Sequence, residues 1–330
     1  MLLAAAEQVY RAGLWAVRQG YRRGFVRAHR MPVPLISVGN LTWGGTGKTP
    51  LVMHLARALE KKGHRLAVLT RGYGGDEAAL MTQRLQPIPV IVGADRVRTG
   101  RRAIEEMGAD LLLLDDGYQQ WRLKKDVEIL AMDSGAPFGN GHLIPKGILR
   151  EPISAACRAD LVVVKETGSD ETARRSVRER IRELNAEAPI FFMNYQPQGF
   201  WRWPEHEAVP LQAVRGKRVC TLAGIGNPPS FEETVTSLGA EPALKVRFRD
   251  HHPYGTGEMM RLLSRCQRYG VRRIVTTAKD AIRLPKLLLK SVGPPLKGMD
   301  LLVLEIEPRF DPNESELLHR IDTLLARPRG

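Results

Sequence analysis

The run PLISVGNLTWGGTGKT, residues 34–49, decides the fold. An apolar stretch, Val33 to Val38, reads as a buried strand, a glycine-rich turn follows, and Lys48 to Lys62 carries a helical pattern. Strand, loop and helix in that order form a nest for a polyphosphate: backbone N–H groups unobstructed by Cβ atoms, at the positive end of a helix dipole. The residues that would line it are Thr42, Trp43, Gly44, Gly45, Thr46, Gly47, Lys48 and Thr49. Lys48 is placed to reach the β- and γ-phosphates and the Thr49 hydroxyl to bind Mg²⁺, which implies ATP with Mg²⁺. The consensus loop has a further glycine five residues before Gly47, where this chain has Thr42.

Working outward, Arg65 to Thr70 forms a second strand, and strand candidates continue at Ile88 to Val92, Asp110 to Leu114, Val127 to Met132, Leu161 to Val164 and Ile190 to Met193, with helical stretches between several of them. Strands alternating with helices predict an α/β fold, a P-loop NTPase core on a mostly parallel sheet. Four leucines lead into Asp115 and Asp116, of which one or the other is expected to hold Mg²⁺ directly or through water. Around Gln196 to Pro210 the periodicity is lost, and a fresh strand and turn begin at Lys217 to Asn227. This divides the chain into an N-terminal helix (1–30), a P-loop domain (31–195), a linker (196–215) and a second, smaller α/β domain (216–330).

Residues 1–30 read as one amphipathic helix with Leu3, Tyr10, Leu14, Val17 and Tyr21 on a stripe and arginines crowding its second half. Trp15, Tyr21 and Phe25 suit a headgroup interface. Docking on its own domain and docking on a membrane surface both fit such a pattern. With 50 Lys and Arg against 36 Asp and Glu, the net charge of +14 points to a polyanionic partner: a phosphorylated substrate, an acidic lipid surface or nucleic acid. The cysteines Cys157, Cys220 and Cys266 lie far apart with no ligand-like spacing, so neither a zinc site nor a disulfide framework is expected. No run approaches the roughly 18 apolar residues of a spanning helix, and the start lacks the order of a signal peptide.

The basic first helix, PVPLISVGNLTWGGTGKT (32–49), TRGYGG (70–75), GADR (93–96), LLLLDDGYQ (111–119), GHLIPKGILREP (141–152), LAGIGNPPSF (222–231) and DHHPY (250–254) together resemble the tetraacyldisaccharide 4'-kinase family of lipid A synthesis. The resemblance implies transfer of the ATP γ-phosphate to the 4'-hydroxyl of a tetraacylated glucosamine disaccharide 1-phosphate, by a peripheral protein at the cytoplasmic face of the inner membrane, with an anionic membrane surface as partner and no nucleic acid. By the same resemblance Arg96 is the arginine of a DR motif, Glu151 a Mg²⁺ or nucleotide-site acid, Asp76 the catalytic base and His251 its support. Physically, a sugar hydroxyl needs a carboxylate to take its proton while Lys48, Mg²⁺ and Arg96 neutralise developing charge. In the family a longer flap segment separates RGYG from the base motif, whereas here Gly75-Asp76-Glu77-Ala78 follows almost at once. Asp76 also fits the N-cap of a helix Glu77 to Leu85.

Two rival classes share parts of this pattern. A P-loop ATPase or GTPase of cofactor-synthesis or metallochaperone type would share the loop and acid pair, but the chain shows no His- or Cys-rich tract and no guanine-reading motif. A nucleotide-switched binding module would rest on the charge, yet few aromatics interleave the basic residues beyond the first helix.

Overall fold

The computed structural model describes residues 2–72, 75–167, 171–285 and 298–328. The chain forms two compact units, the first made of residues 1–72, 81–194 and 308–330, the second of residues 73–80 and 195–307. This corrects the division expected from sequence order. The C-terminal residues 308–330 return to the first unit, and the short stretch carrying Asp76 belongs to the second.

The first unit opens with α1 (Leu2–Arg22), then β1 (Leu35–Gly39), α2 (Lys48–Lys61) and β2 (Leu66–Thr70). Helix α3 (Asp76–Arg84) starts in the second unit and ends in the first, and is followed by β3 (Val90–Val92), α4 (Arg96–Met107), β4 (Leu111–Asp115), β5 (Val127–Asp133), β6 (Leu161–Lys165) and α5 (Glu171–Leu184). The sheet runs β3, β2, β4, β1, β5, β6 and then the start of β7 (Ile190–Arg202), all in parallel. β1, β2 and β4 are buried along their whole length, which is why they read as unbroken apolar runs rather than alternating ones. One core lies around Leu35, Leu69, Leu112 and Leu114, another around Leu130, Val162, Ile181 and Phe192.

The second unit holds β8 (Glu207–Val209), β9 (Arg218–Ala223), α6 (Pro228–Ser237), β10 (Glu241–Arg247), α7 (Thr256–Arg268), β11 (Arg273–Thr277), α8 (Ala278–Arg283) and most of β12 (Asp300–Asp311). Its parallel strands run β10, β9, β11, β12. Residues alternate between two cores: Cys220, Leu222, Leu301 and Val303 face one, Val219, Ala223, Leu302 and Leu304 the other. Residues 196–215, expected as a linker, are ordered structure instead: β7 continues to Arg202 and pairs antiparallel with β8 through Phe200↔Val209 and Trp201↔Ala208. Asn227 is the N-cap of α6, its Oδ1 accepting from the Ser230 N–H at 3.3 Å.

Helix α1 is neither free nor wholly covered. Tyr10 and Leu14 pack against the first unit's core and Glu7 is buried, whereas Leu3 and Val17 of the expected stripe are exposed, as are Leu2, Val9 and Trp15. Helix α9 (Glu314–Leu325), absent from the strand and helix pattern read above, joins the first unit, with Asp322 on Lys62 just after α2. Among the described residues no helix is long and apolar enough to cross a membrane.

Candidate functional site

β1 and β4 are neighbours in parallel, and Val38 lies level with Asp115. The loop after β1 and the acids after β4 therefore emerge together at the carboxyl ends of the strands, where open α/β sheets bind ligands. Gly39 and Gly117 make this approach possible: a Cβ on Gly39 would stand 2.4 Å from the Tyr118 nitrogen, and one on Gly117 2.4 Å from Ser37 Oγ. Gly44 and Gly47 have φ of 129° and 79°, values that side chains resist, and Gly47 is the residue before α2. Thr42 stands where the consensus has glycine because it needs no such conformation. It forms an antiparallel bridge with Leu149, a position suited to a β-branched residue.

The loop is anchored from both sides. Asn40 donates to the Thr42 carbonyl at 2.7 Å and to Thr46 Oγ1 at 3.1 Å. The Trp43 N–H donates to the Ile148 carbonyl at 2.6 Å, and the Arg150 N–H to the Leu41 carbonyl at 2.7 Å. Trp43 is exposed, Thr46 and Thr49 are buried, and Gly44 and Gly45 are open to solvent. Lys48 Nζ lies 3.6 Å from Asp116 Oδ1. Asp115 accepts from Thr70 Oγ1 at 2.9 Å. Asp116, at a φ of 52°, is gripped by Arg150 through both guanidinium ends, at 2.8 and 2.9 Å, and the same Arg150 donates to Asn40 Oδ1 at 3.1 Å. Sequence reading missed Arg150 as a site residue. Its signal was a cation beside Glu151, but only the pairing of residues 148–150 with the loop gives that cation its place.

Arg96, the first residue of α4, is buried with its Nη1 on the carbonyls of Gly93 and Ala94 and its Nε without a hydrogen-bond partner. Burial lowers its pKa, opposed by the charge of Asp115. A buried guanidinium with an unused donor fits an anion such as a phosphate. The preceding Asp95 caps α4 through the N–H groups of Val97 and Arg98, so the two residues of the DR motif divide between capping and charge.

Glu151 departs from its expected role as a metal ligand. It is fully buried, with Arg158 donating to both its oxygens at 2.7 and 3.1 Å and Gln119 to Oε1 at 3.1 Å. Burial is the largest single influence on Arg158 and works against its charge, but the bond to Glu151 and the charges of Glu151 and Glu128 together outweigh it and hold the guanidinium pKa above its ordinary value. The carboxylate is committed to an ion pair that ties Glu151 to the 3₁₀ turn Ile153–Arg158. Among the described residues no three His, Cys, Asp or Glu side chains form a metal cluster. Thr49, Asp115 and Asp116 fit Mg²⁺ of the kind that is carried largely by nucleotide phosphates and waters, with few protein ligands; Asp116 is ion-paired too, with Arg150, but its side chain is 39% exposed where that of Glu151 is wholly buried.

In the second unit, Asp76 is buried at the start of α3, and its carboxylate meets His251 Nδ1 at 2.9 and 3.0 Å. His251 itself has a φ of 61°. Arg283 Nε lies 3.5 Å from Asp76 Oδ2, while Lys279 Nζ stands 3.4 Å from His251 Nε2, 3.3 Å from Asp250 Oδ1 and 3.1 Å from Glu77 Oε1. The pair expected from the sequence is thus assembled within one unit. Asp76 Oδ1 also accepts from the Glu77 N–H at 3.0 Å, a local bond at the helix start that coexists with the histidine contact.

The family model for tetraacyldisaccharide-1-P 4'-kinase matches residues 1–75 and 74–326. The two pieces overlap at residues 74 and 75, where TRGYGG runs directly into Asp76. A tetraacyldisaccharide 4'-kinase of Syntrophus aciditrophicus is 38% identical over 96% of this chain and 90% of its own length. That of Anaeromyxobacter dehalogenans is 37% identical over 89% of this chain and 84% of its own length. The crystal structure of LpxK from Aquifex aeolicus in complex with ATP superposes with a TM-score of 0.72 at 26% identity, covering 98% of this chain and all of that one. With the fold, the loop and the acid pair in the order the motifs required, the chain belongs to the tetraacyldisaccharide 4'-kinase family.

Proposed function

We propose that this protein transfers the γ-phosphate of ATP to the 4'-hydroxyl of a tetraacylated glucosamine disaccharide 1-phosphate, the step that names its family. The observation that carries the reading is a phosphate loop whose Lys48 and acid pair stand at one sheet end, in a chain that also holds a buried carboxylate bonded to a histidine, Asp76 and His251. Gly44, Gly45 and Gly47 cradle the phosphates, Lys48 and Arg96 offset their charge, and Thr49 with Asp115 and Asp116 would hold Mg²⁺. That ion supplies charge neutralisation at the transferring group. Asp76 takes the proton of the acceptor hydroxyl, and His251 orients the carboxylate.

The protein acts as a peripheral membrane protein at the cytoplasmic face of the inner membrane, α1 lying against anionic lipid. The exposure of Val9, Trp15 and Phe25 together with nearby arginines supports this. The test is transfer of labelled γ-phosphate from ATP to purified tetraacyldisaccharide 1-phosphate in detergent micelles, wild type against Lys48→Ala and Asp76→Ala. Product from wild type and its loss in both folded variants is expected. No product from folded, ATP-binding wild type would sink the acceptor assignment.

A further inference from the structure

The segment that pairs with the phosphate loop is held from behind by α1. Glu7, buried on that helix, accepts from the Leu143 N–H at 3.0 Å and meets His142 Nδ1 at 3.3 Å, with Lys146 Nζ at 3.9 Å. One turn on, the Tyr10 hydroxyl donates to the Arg150 carbonyl at 2.9 Å. These two residues grip both ends of residues 142–150. The far side of the same segment donates or accepts the bonds that shape the loop: the Ile148 carbonyl to Trp43, Leu149 opposite Thr42, the Arg150 N–H to Leu41, and the Arg150 side chain to Asp116 and Asn40. A run of direct contacts, all within the first unit, therefore connects the N-terminal helix to the phosphate loop.

We infer that Glu7 and Tyr10 are positioning residues for the nucleotide site, so that α1 is part of the ATP-binding machinery as well as a surface helix. Residues 142–150 include a glycine at 147, follow another at 141, and make only isolated bridges rather than a strand. Such a segment has few ladder bonds of its own to fix its height against the loop, so its outside partners set that height. Tyr10 holds the carbonyl of the very residue whose guanidinium grips Asp116. Removing the hydroxyl frees the Arg150 backbone and loosens the fork on Asp116, which faces Lys48. The effect reaches bound phosphate and leaves the Asp76–His251 pair untouched.

The inference rests on the phosphate loop being the ATP site, and its test separates the two. Binding of a fluorescent ATP analogue with Mg²⁺, and KM for ATP, KM for the lipid acceptor and kcat, would be measured on the full chain. The variants are Tyr10→Phe, Glu7→Leu, Glu7→Gln and, as a core control, Val235→Ala, whose side chain is buried on α6 in a core of the second unit. Tyr10→Phe keeps the ring packed and loses one hydrogen bond; it should weaken ATP binding and raise KM for ATP by about 3- to 10-fold, with KM for lipid unchanged. Glu7→Leu should do so more strongly, and Glu7→Gln, which keeps an acceptor for the Leu143 N–H, should recover most of the loss. Val235→Ala should lower Tm with KM for ATP unchanged. Wild-type ATP affinity in Tyr10→Phe and Glu7→Leu would overturn the inference, and so would equal rises in both KM values, the mark of general damage. Wild type that binds no nucleotide would overturn the ATP assignment itself.

Discussion

His251 Nδ1 stands 2.9 Å from one carboxylate oxygen of Asp76 and 3.0 Å from the other, across a sequence separation of 175 residues. A buried aspartate in such contact serves either as a proton acceptor held in register or as a helix-start residue whose histidine contact is incidental. Substitution separates the two. Asp76→Asn keeps the size and the bond to the Glu77 N–H but removes the base, so kcat should fall by about 10²- to 10⁴-fold with KM for ATP little changed. His251→Ala should cost less, because the base remains and loses only its orientation. A variant Asp76→Asn with lowered Tm and wild-type kcat would reduce Asp76 to a helix-start residue.

Glu151 offers a contrasting test, because its oxygens are spent on Arg158 and Gln119. Changing it to Gln removes the nearer of two carboxylates from Arg158, leaving Glu128 at 3.5 Å, and breaking a buried pair from one side costs up to about 3–5 kcal/mol. Glu151→Gln should therefore lower Tm markedly while leaving the Mg²⁺ dependence of ATP binding as in wild type. A shifted Mg²⁺ requirement at unchanged Tm would return Glu151 to the metal.

Arg150 should be intolerant even of lysine. Its fork spans both oxygens of Asp116 and reaches Asn40, a geometry that a point charge on a flexible stem does not reproduce. Arg150→Lys is expected to raise KM for ATP by about tenfold, the order of a lost charged hydrogen bond. Steady-state kinetics at saturating lipid checks this, and an unchanged KM would show that Asp116 is held well enough by Lys48 alone.

The elements that were legible in the sequence are those whose neighbours are fixed locally. Helix α2 begins at Lys48 as read because glycines and a helix start are written into the loop, and β5 and β6 begin at the expected Val127 and Leu161 because a buried parallel strand is a plain apolar run. The Asp76–His251 pair was legible only through resemblance. Its two members lie far apart along the chain, and neither periodicity nor charge joins them. Residues 196–202 hid a strand behind Pro197 and glutamines, since their order comes from pairing with β8 rather than from propensity. Helix α9 was not read at all, and its pattern would not have placed it: an amphipathic helix states which face is buried and not against what. Arg150 and Glu7 take their meaning from register with the loop, which no single stretch of sequence contains.

Glu7 also predicts a pH dependence. The Leu143 N–H holds its carboxyl below the ordinary glutamate value of 4.5, burial opposes, and His142 adds to the lowering. A depressed carboxylate contributes stability that is fully present above the unfolded value and is lost as pH falls through the folded one. The gap in Tm between wild type and Glu7→Gln should accordingly be widest near neutrality and close as the pH is taken below 4.5. A gap that stays constant from pH 7 downward would mean that the interaction is carried by packing and not by the charge.

The outward side of α1 gives the last prediction. Trp15 is 61% exposed and Phe25, just beyond the helix, 81% exposed, an unusual amount of aromatic surface to leave in water. Arginines 22, 23 and 27 are exposed beside them. Binding of such a segment to a headgroup interface has two parts: apolar burial, insensitive to salt, and attraction to anionic lipid, which salt screens. Sedimentation with vesicles containing phosphatidylglycerol should show the protein bound at low salt and partly released at high salt. Trp15→Ser with Phe25→Ser should weaken binding by about tenfold or more at either salt, from the loss of two buried aromatic side chains. Arg23→Gln with Arg27→Gln should instead flatten the salt dependence. These exposed positions stand apart from Glu7 and Tyr10, so all four substitutions should leave ATP affinity in the absence of vesicles unchanged. Vesicle binding that survives both pairs of changes would place the membrane contact elsewhere on the protein and leave α1 with its role behind the phosphate loop alone.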